Sequence, residues 1–591
     1  MMWFQGILYM QENIKNKLLS PLNDEQKIAV LCEENCILTA CPGSGKTKTL
    51  THKLAYLSNK YTNSKLLNIG ITYTNRAAYE IEDRIDKMNI SLDNVWIGTI
   101  HQFCMEFIIR PYYIYLPRLS KGYSIIDDLT KEKYINLIKD KLNITKKYGF
   151  STEEESSINK EYFELKKLNK EIDFEDILNL SCVLLTKNNF IARNIANIIR
   201  SINVDEYQDT QHVQYLILAK LFHNNRNILI SFVGDVNQSI YDTLGGCAKS
   251  DMEINALFGV KFKKLILNGC YRSTSRIINY YSKFEIEKQN TYSLSDLKDD
   301  YGTIYFNKNI NSESLPEEIG NIVDINLKNG VPENEICILC PQWRMAYDIV
   351  KYMKERFPDN QFDAIEISPL KYDPMNFVYL IAKILFLRES KNIKMKRRDS
   401  LKVLNILKNE FYVNISSNYY FDDLLYTINK TQIIESDGIL TLKNAVKSVL
   451  KDLEIKHNDK LKTYIVEYFE KIIHKIKKFK LKSDYNSFAK TFKEKEGIVI
   501  GTIHSVKGEE FTTVIAFGLL DGYLPHHNYL YEEKYKPLKD SNTNHLLYVL
   551  CSRARKNLYL FSEKGRCSNK GYEYKCNYIL NSYKYDYNEN I

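Results

Sequence analysis

The segment at residues 39–49, TACPGSGKTKT, constrains the fold of this chain more than any other stretch. It follows a short apolar run, so the pattern predicts a buried strand that leads into a glycine-containing loop and then a helix. Gly43 and Gly45 let the backbone turn its amides toward a phosphate, and a helix N-terminus favours negative charge. Lys46 is of the type that reaches outer phosphates, and Thr47 of the type that holds Mg²⁺. The segment therefore predicts an α/β nucleotide-binding fold and makes nucleotide hydrolysis the leading hypothesis.

Length and composition limit the class of protein. The chain has 591 residues, which exceeds one ordinary hydrophobic core and predicts several packing units. Its net charge of +9 is modest for this length and only hints at a polyanionic partner. No stretch is apolar enough to span a bilayer, and the first residues do not resemble a signal peptide. The twelve cysteines show no disulfide-like spacing. We therefore expect a cytoplasmic protein with reduced thiols and no membrane partner.

Short apolar strands with intervening helices recur along the chain and predict parallel sheets. The first set of strands comprises residues 36–40, 67–72, 95–98, 202–205, 228–233 and 264–267. The second set comprises residues 303–306, 335–339, 497–501, 513–517 and 557–561. Two strand-poor stretches with helix-like spacing, 111–199 and 370–490, read as helical insertions. The pattern thus predicts two α/β units, each accompanied by a helical insertion.

An acidic pair follows one of the predicted strands. Asp205 can position Mg²⁺, and Glu206 can orient and deprotonate an attacking water, because phosphoryl transfer leaves the protein mainly positioning and charge stabilisation. Such a pair alone is usually a solvated turn, but a phosphate loop in the same chain favours the catalytic interpretation. Three later segments offer a sensor and cations for a γ-phosphate: GDVNQ at 234–238, CYRS at 270–273 and SRAR at 552–555.

In order and spacing, these segments resemble the motifs of UvrD/Rep-type DNA helicases of superfamily 1, from about residue 22 to residue 561. The matching strings are LNDEQKIAV, ACPGSGKTKTL, ITYTNRAAYEIEDRI, VWIGTIHQFC, VDEYQDTQ, VGDVNQSIY, NGCYRS, GTIHSVKGEEF and LLYVLCSRARKNL. The general phosphate-loop pattern has glycine where this chain has Ala40, and the family's variant commonly begins with alanine. The resemblance therefore implies a DNA-dependent ATPase.

The resemblance also implies an architecture: two RecA-like parallel-sheet motor domains with two helical insertion subdomains. The implied boundaries are 1–110 and 200–271 for the first motor domain, 111–199 for its insertion, 272–369 and 491–566 for the second motor domain, 370–490 for its insertion, and 567–591 for a short polar tail. ATP and Mg²⁺ would lie between the two motor domains.

Roles at the ATP site are carried over from the family to the matching positions. The residues implied to bind ATP are Gln26, Ala40, Cys41, Pro42, Gly43, Ser44, Gly45, Lys46, Thr47, Lys48, Tyr271 and Glu510. Among them, Gln26 would read adenine, Tyr271 would stack on it and Glu510 would contact the ribose. Thr47 and Asp205 would hold the metal. The residues implied to act in catalysis are Lys46, Glu206 as general base, Gln238 as the sensor that couples the γ-phosphate to DNA, and Arg272 and Arg553 as arginine fingers.

The same resemblance implies a surface for single-stranded DNA. Its residues would be Tyr73, Asn75, Arg76, His101, Tyr241 and His504. Aromatic rings interleaved with polar donors suit single strands, which offer base faces and phosphates together. Without the family, the two histidines would read as satisfied buried residues and Tyr73 as part of a core. The implied partners are single-stranded DNA and 3′-tailed duplex DNA.

One departure from the family pattern concerns the DNA grip. The family usually continues its IY pair with Gly-Trp-Arg-Gly-Ala, whereas this chain has DTLGG at residues 242–246, so Thr243 stands at the position of the tryptophan. A stacking platform contributes about 1–3 kcal/mol per base, so its loss is expected to weaken the grip and lower unwinding efficiency, while movement along the strand need not be lost.

The sequence is compatible with two functions. The first is an ATP-driven translocase and helicase on single-stranded DNA, with 3′–5′ polarity implied by resemblance alone. The second is a DNA-stimulated regulatory ATPase subunit of a nuclease-containing repair or anti-phage defence complex, acting without processive unwinding. A phosphate-loop ATPase that acts on protein is disfavoured by the DNA-facing motifs. The pathway and any protein partner stay open.

Overall fold

The computed structural model describes residues 14–589 apart from 63, 89, 91–92, 127, 145–151, 242–245, 247, 365–368, 371–372, 374–375, 391–392, 417, 456–457, 480, 493–496, 532–534 and 569–570. Contacts divide the chain into two compact units. Unit 1 runs up to Tyr301 and includes Glu532–Ser552, whereas unit 2 comprises Gly302–Tyr531 and the residues from Arg553 onward.

Sixteen strands occur in the described part of the chain. They are β1 Cys36–Ala40, β2 Leu67–Thr72, β3 Val95–Thr99, β4 Ser124–Ile125, β5 Glu171–Ile172, β6 Ile199–Asp205, β7 Leu229–Gly234, β8 Lys263–Leu267, β9 Gly269–Cys270, β10 Tyr292–Ser293, β11 Thr303–Asn307, β12 Ile336–Cys340, β13 Phe362–Ala364, β14 Ile498–Thr502, β15 Phe511–Ala516 and β16 Ala554–Phe561.

The α-helices of the same residues connect and cover these strands. They are α1 Asp24–Leu31, α2 Lys46–Lys60, α3 Asn75–Lys87, α4 Ile100–Phe103, α5 Arg110–Tyr112, α6 Asp128–Lys141, α7 Thr152–Asn169, α8 Phe174–Lys187, α9 Asn189–Ala196, α10 His212–Asn224, α11 Asp251–Phe258, α12 Ser275–Tyr281, α13 Leu315–Lys328, α14 Trp343–Arg356, α15 Phe377–Phe386, α16 Ile393–Glu410, α17 Phe421–Asn429, α18 Gly438–Asp452, α19 Asp459–Phe479, α20 Tyr485–Lys490, α21 Asn528–Tyr531, α22 Lys539–Cys551 and α23 Tyr578–Ser582.

Unit 1 is built on a six-stranded parallel sheet in the order β3-β2-β6-β7-β1-β8. Side chains alternate between the two faces of a strand, so Ile37 packs into one hydrophobic core and Leu38 into another. Burial on both faces explains why the strands read as continuous apolar runs. Because all six strands run in parallel, their carboxyl ends share one edge of the sheet, where ligands bind in open α/β folds.

Unit 2 contains a second six-stranded parallel sheet, in the order β11-β16-β15-β12-β14-β13. Its core is formed from alternate residues of the central strands, including Ile336, Ile338, Ile498 and Ile500. The helices between residues 377 and 490 share a separate core of their own. The last described segment is ordered along the sheet edge, since Asn588 N donates to Ile304 O at 2.8 Å and Ile304 N donates to Asn588 Oδ1 at 2.9 Å.

The α/β prediction with two parallel sheets is confirmed. The domain boundaries implied by the family resemblance remain a prediction. Residues 272–301 and Glu532–Ser552, which that prediction places in the second motor domain, belong to unit 1 by their contacts. No helix among the described residues is long and apolar enough to cross a membrane.

Candidate nucleotide and nucleic-acid site

The phosphate loop joins β1, in the interior of the sheet, to the start of α2. Gly43 has φ 73° and Gly45 has φ 80°, a left-handed conformation that side chains disfavour. A Cβ on Gly43 would lie 2.6 Å from Arg272 Cβ, and Tyr271 N donates to Gly43 O at 2.9 Å. The loop is therefore packed against the segment that carries Tyr271 and Arg272.

A buried glutamine holds the other side of the loop. Gln26 is 1% exposed, and its Nε2 donates to Ser44 O at 2.9 Å. Its Oε1 accepts from Asn23 N within the capping box that begins α1. Ser44 Oγ in turn donates to Cys41 O at 2.7 Å. The predicted adenine-reading amide is thus fixed beside the loop by α1.

Three more of the predicted ATP-binding residues lie in or next to this loop. Tyr271 is 45% exposed, and its hydroxyl accepts from Asn23 Nδ2 at 2.9 Å, so its ring is available for stacking. Lys48 Nζ donates to Pro21 O at 2.6 Å. Ala40 is fully buried at the end of β1.

The acidic pair ends β6 at the same sheet edge. Asp205 is buried, and burial together with the Glu206 charge raises its pKa to about 7. Glu206 has a left-handed backbone with φ 51°, and its Oε2 lies 4.0 Å from Lys46 Nζ. A buried carboxylate beside a second carboxylate suits a cation, and the Asp205 carboxylate and Thr47 hydroxyl are the hard oxygen donors that Mg²⁺ prefers.

A polar network links this acidic pair to the segment that carries the predicted sensor Gln238, residues 235–239, which we call the sensor loop. Gln208 Nε2 donates to Glu206 Oε2 at 2.5 Å, and Gln208 Oε1 accepts from Asp235 N at 3.1 Å. Gln238 Nε2 donates to Asp235 Oδ2 at 2.7 Å. The predicted base and the predicted sensor are therefore connected through Gln208 and Asp235.

Asp235 is the centre of this network and is fully buried. Besides Gln238, its carboxylate accepts from Asn237 N and Gln289 Nε2 at 3.1 Å each, and from the Tyr548 hydroxyl at 3.4 Å. Burial raises the pKa of Asp235, while the charge of Lys46 and the bond from Gln238 oppose that rise. These four donors favour the charged form of the carboxylate and so oppose the effect of burial.

The two predicted arginine fingers belong to different units. Arg272, in unit 1, is buried, and its Nη1 donates to Ser552 O at 2.7 Å. Arg553, in unit 2, is also buried, and its Nη1 donates to Glu509 O at 3.2 Å. Their meeting at one phosphate remains a prediction.

Glu510, the predicted ribose contact, forms an ion pair in unit 2. Arg555 Nη2 lies 2.6 Å from Glu510 Oε1, and Arg555 Nη1 lies 3.1 Å from Glu335 Oε1. The motif spacing gives no indication of this pairing.

Two predicted DNA-binding tyrosines stack on each other. The Tyr73 and Tyr241 ring centroids are 5.0 Å apart with an interplanar angle of 22°, and Tyr73 is 41% exposed. Burial raises the pKa of Tyr73 to about 12, so its hydroxyl stays protonated at neutral pH. Tyr73 follows β2, so the pair belongs to the edge that carries the phosphate loop.

The remaining predicted DNA contacts lie on several elements. Asn75 begins α3, and its buried Oδ1 has no hydrogen-bond partner within the described residues. The Arg76 side chain is outside the description. His101 in α4 is half-buried, and burial lowers its pKa to about 4, which keeps the ring neutral. His504 is an exposed residue of unit 2, in a single turn after β14.

Phe174, which is not among the predicted site residues, adds an aromatic group beside His101. It begins α8, is 50% exposed, and its ring packs edge-on against the His101 ring at 5.9 Å. The sequence signal was weak, because Phe174 lies outside every motif. Gln208 and Asp235 were also missed, although both lie within quoted motifs. Thr243 falls outside the described residues.

Comparison with known proteins bears on the whole chain. A family model described as the UvrD/REP helicase N-terminal domain matches residues 22–157 and 139–250, and one described as the UvrD-like helicase C-terminal domain matches residues 265–565. The chain is 24% identical to the ATP-dependent DNA helicase PcrA of Bacillus subtilis (strain 168) over 94% of this chain and 84% of that protein. The PcrA proteins of Staphylococcus epidermidis (strain ATCC 12228 / FDA PCI 1200) and Staphylococcus aureus (strain COL) are 24% and 22% identical, each over 92% of this chain and over 84% and 83% of their own lengths.

Proposed function

The chain belongs to the UvrD/REP helicase family, and from this membership we propose that it hydrolyses ATP to move along single-stranded DNA in the 3′–5′ direction and to displace the complementary strand. The observation that carries the proposal is that two sets of predicted site residues lie at the same edge of the first sheet. There Lys46 Nζ lies 4.0 Å from Glu206 Oε2, and the Tyr73–Tyr241 ring pair follows strands that end at the same edge. A nucleotide site and a base-stacking site on one rigid sheet are what a DNA motor requires.

In the proposed reaction, Tyr271 stacks on adenine beside Gln26, and the loop amides with Lys46 hold the phosphates. Glu206 orients the attacking water and accepts its proton. Gln238 faces the γ-phosphate, held by its bond to Asp235. Thr47 and Asp205 would hold Mg²⁺, which neutralises charge on the phosphates when bound.

Movement would follow from contacts that exist only with ATP present. Arg272 and Arg553 would each act on the γ-phosphate as the family resemblance implies, and hydrolysis with phosphate release would remove that attraction once per cycle. Tyr73, Tyr241 and His101 with Phe174 would grip bases, and Asn75, Arg76 and His504 would complete the contact with the strand. We further propose that the protein works in the cytoplasm.

Glu206→Gln tests the catalytic assignment. The amide keeps the size of the side chain but cannot accept the proton, so ATP affinity should stay within about threefold while kcat falls about 10²- to 10⁴-fold. Fluorescent-nucleotide titration and steady-state phosphate release measure the two quantities. Near-normal turnover would remove Glu206 as the base.

Strand displacement separates the two candidate functions. The wild-type chain should displace a strand from a 3′-tailed duplex and leave a 5′-tailed duplex intact. The Glu206→Gln protein is the control for displacement without hydrolysis. DNA-stimulated hydrolysis with no displacement on either substrate would favour the regulatory ATPase of a nuclease-containing complex.

A further inference from the structure

Gln208 joins the catalytic carboxylate to the sensor loop through its side-chain amide. The residue is fully buried, its Nε2 donates to Glu206 Oε2 at 2.5 Å, and its Oε1 accepts from Asp235 N at 3.1 Å. A carboxylate can only accept and a backbone N–H can only donate, so the two partners fix which end of the amide faces which. No other uncharged side chain of this length offers a donor and an acceptor together.

The backbone at the end of β7 packs closely against this amide. A Cβ on Gly234 would lie 2.2 Å from Gln208 Oε1 and 2.7 Å from the Tyr207 ring, so β7 approaches the amide closely because it ends in glycine. Bonds made in such a buried site are stronger than the same bonds in water. A shift of Glu206 would therefore reach Asp235 through the two bonds of a closely packed amide.

The sensor loop is attached to Gln208 at both of its ends. Asp235 N donates to the Gln208 side chain where the loop begins, and Ser239 Oγ donates to Gln208 O at 3.3 Å where it ends. Gln238 lies between them. Tyr241, two residues beyond Ser239, carries the ring that stacks on Tyr73. One residue thus spans the path from the nucleotide site to the aromatic pair.

The nucleotide side of the path starts at a shared atom. Glu206 Oε2 accepts from Gln208 and lies 4.0 Å from Lys46 Nζ. A bound phosphate would attract Lys46, and this would weaken the attraction between Lys46 Nζ and Glu206 Oε2. A displacement of this oxygen would move the Gln208 amide that is bonded to it.

We propose that Gln208 is a positioning residue that couples nucleotide occupancy at Lys46 and Glu206 to the Tyr73–Tyr241 base-binding pair. The inference rests on the proposed function and deepens it, since it names the device that makes DNA affinity depend on the nucleotide. Gln208 is assigned no contact with DNA or nucleotide, and it acts through its bonds to the Glu206 carboxylate and to Asp235 N.

Gln208→Met is the principal test, because methionine keeps the volume and loses both the donor and the acceptor. The measurement is the dissociation constant of a fluorescent single-stranded oligonucleotide, with and without a non-hydrolysable ATP analogue. Wild type should show a ratio of about 5- to 150-fold between the two conditions, the usual range for coupled sites. In Gln208→Met the ratio should fall to within about twofold of one, while each ligand measured alone binds within about threefold of wild type.

Gln208→Glu separates the two ends of the bridge. The glutamate still accepts from Asp235 N but cannot donate to Glu206 when ionised, so the coupling ratio should collapse as in Gln208→Met. Gly234→Ala should have the same effect without changing Gln208, because the new methyl group displaces the amide. Gln214→Met is the matched control. Gln214 is a similarly buried glutamine whose Oε1 accepts from Gln211 N in the capping box of α10, so its removal should leave the ratio unchanged.

Three outcomes would overturn the inference. The first is a Gln208→Met protein that keeps the wild-type ratio. The second is an equal loss of coupling in Gln214→Met, and the third is a loss of both affinities in Gln208→Met and Gln208→Glu, which would make Gln208 a structural residue. Failure of the proposed function looks different, since the wild-type chain would then neither bind single-stranded DNA nor hydrolyse ATP faster in its presence.

Discussion

At the scale of single residues, the phosphate loop depends on the absence of a side chain at Gly43. Its φ of 73° costs an L-residue about 1–2 kcal/mol, and a Cβ would lie 2.6 Å from Arg272 Cβ. Gly43→Ala should therefore lower ATP affinity by at least about tenfold, or about 1.4 kcal/mol, because the loop must move away from Arg272. Equilibrium titration with a fluorescent nucleotide measures the loss.

Gly330→Ala is the matched control for backbone strain. Gly330 has φ 81°, and a Cβ there would meet nothing within 4 Å. Its unfolding free energy should fall by about 1–2 kcal/mol with ATP affinity unchanged. Equal ATP affinities in the two variants would contradict the role assigned to the close approach of Arg272.

His101 makes stability depend on pH. Burial lowers its folded pKa to about 4 from 6.5, so between these values the unfolded chain binds more protons than the folded chain. Stability contributed by neutral His101 is complete above pH 6.5 and is lost as pH falls toward 4. In His101→Gln, the unfolding free energy should decline less between pH 7 and pH 4.5 than in wild type. Urea unfolding at several pH values measures this, with the exposed His212→Gln as control, and parallel wild-type and His101→Gln profiles would refute it.

At the scale of elements, the strands could be predicted because buried parallel strands are continuous apolar runs. The predicted bounds 36–40 and 67–72 are those of β1 and β2. β13 was not predicted, because Phe362–Ala364 has three residues at a sheet edge and too short a pattern to recognise. Packing across long sequence separations was also out of reach, as in the assignment of α22 to unit 1.

The same limit applies to the candidate site. The phosphate loop and the acidic pair are each contiguous in sequence, so their residue types indicate that they bind phosphate and a metal ion. The Gln208 bridge depends on the register of β6 beside β7, and the His101–Phe174 contact depends on how α8 packs. Neither relation has a periodicity or a spacing that a sequence displays.

The start of α8 is held by a buried ionic cluster. Lys166 Nζ lies 2.7 Å from both Asp173 Oδ2 and Asp176 Oδ2, and Asp173 is the N-cap residue that precedes Phe174. Lys166→Met would leave the buried Asp173 carboxylate without a cation, at a cost of about 3–5 kcal/mol in unfolding free energy, whereas Asp176 would keep Arg118 Nη2 at 3.1 Å. Single-strand affinity should fall as well, because Phe174 loses its fixed position beside His101.

Lys167→Met provides the neighbouring comparison. Lys167 is 56% exposed and pairs with Glu164 at 3.5 Å, so its removal should change unfolding free energy by at most about 1 kcal/mol. Urea denaturation and oligonucleotide titration report on both variants. Similar stabilities for the two would show that the buried cluster does not hold α8.

At the scale of the whole molecule, hydrolysis becomes unwinding only if the grip on the strand outlasts each cycle. The Tyr73–Tyr241 pair and the His101–Phe174 pair supply aromatic faces in unit 1. A chain with net charge +9 adds a general attraction to phosphates that weakens as salt rises. Stacking is less sensitive to salt, so the number of platforms sets how well the motor holds at physiological ionic strength.

Thr243→Trp tests whether the number of stacking platforms sets the grip on the strand. The choice of position rests on the sequence, since Thr243 lies outside the described residues. A tryptophan at the position where the family has one should add a stacking platform and tighten single-strand binding by about 1–3 kcal/mol, or roughly 5- to 150-fold. Thr243→Leu adds apolar bulk without an extended ring and should give a much smaller gain. Fluorescence titration measures the affinities, and strand displacement at raised salt measures the effect on unwinding. An unchanged dissociation constant in Thr243→Trp would mean that this position does not face the strand, and the family's stacking role could not be carried over to it.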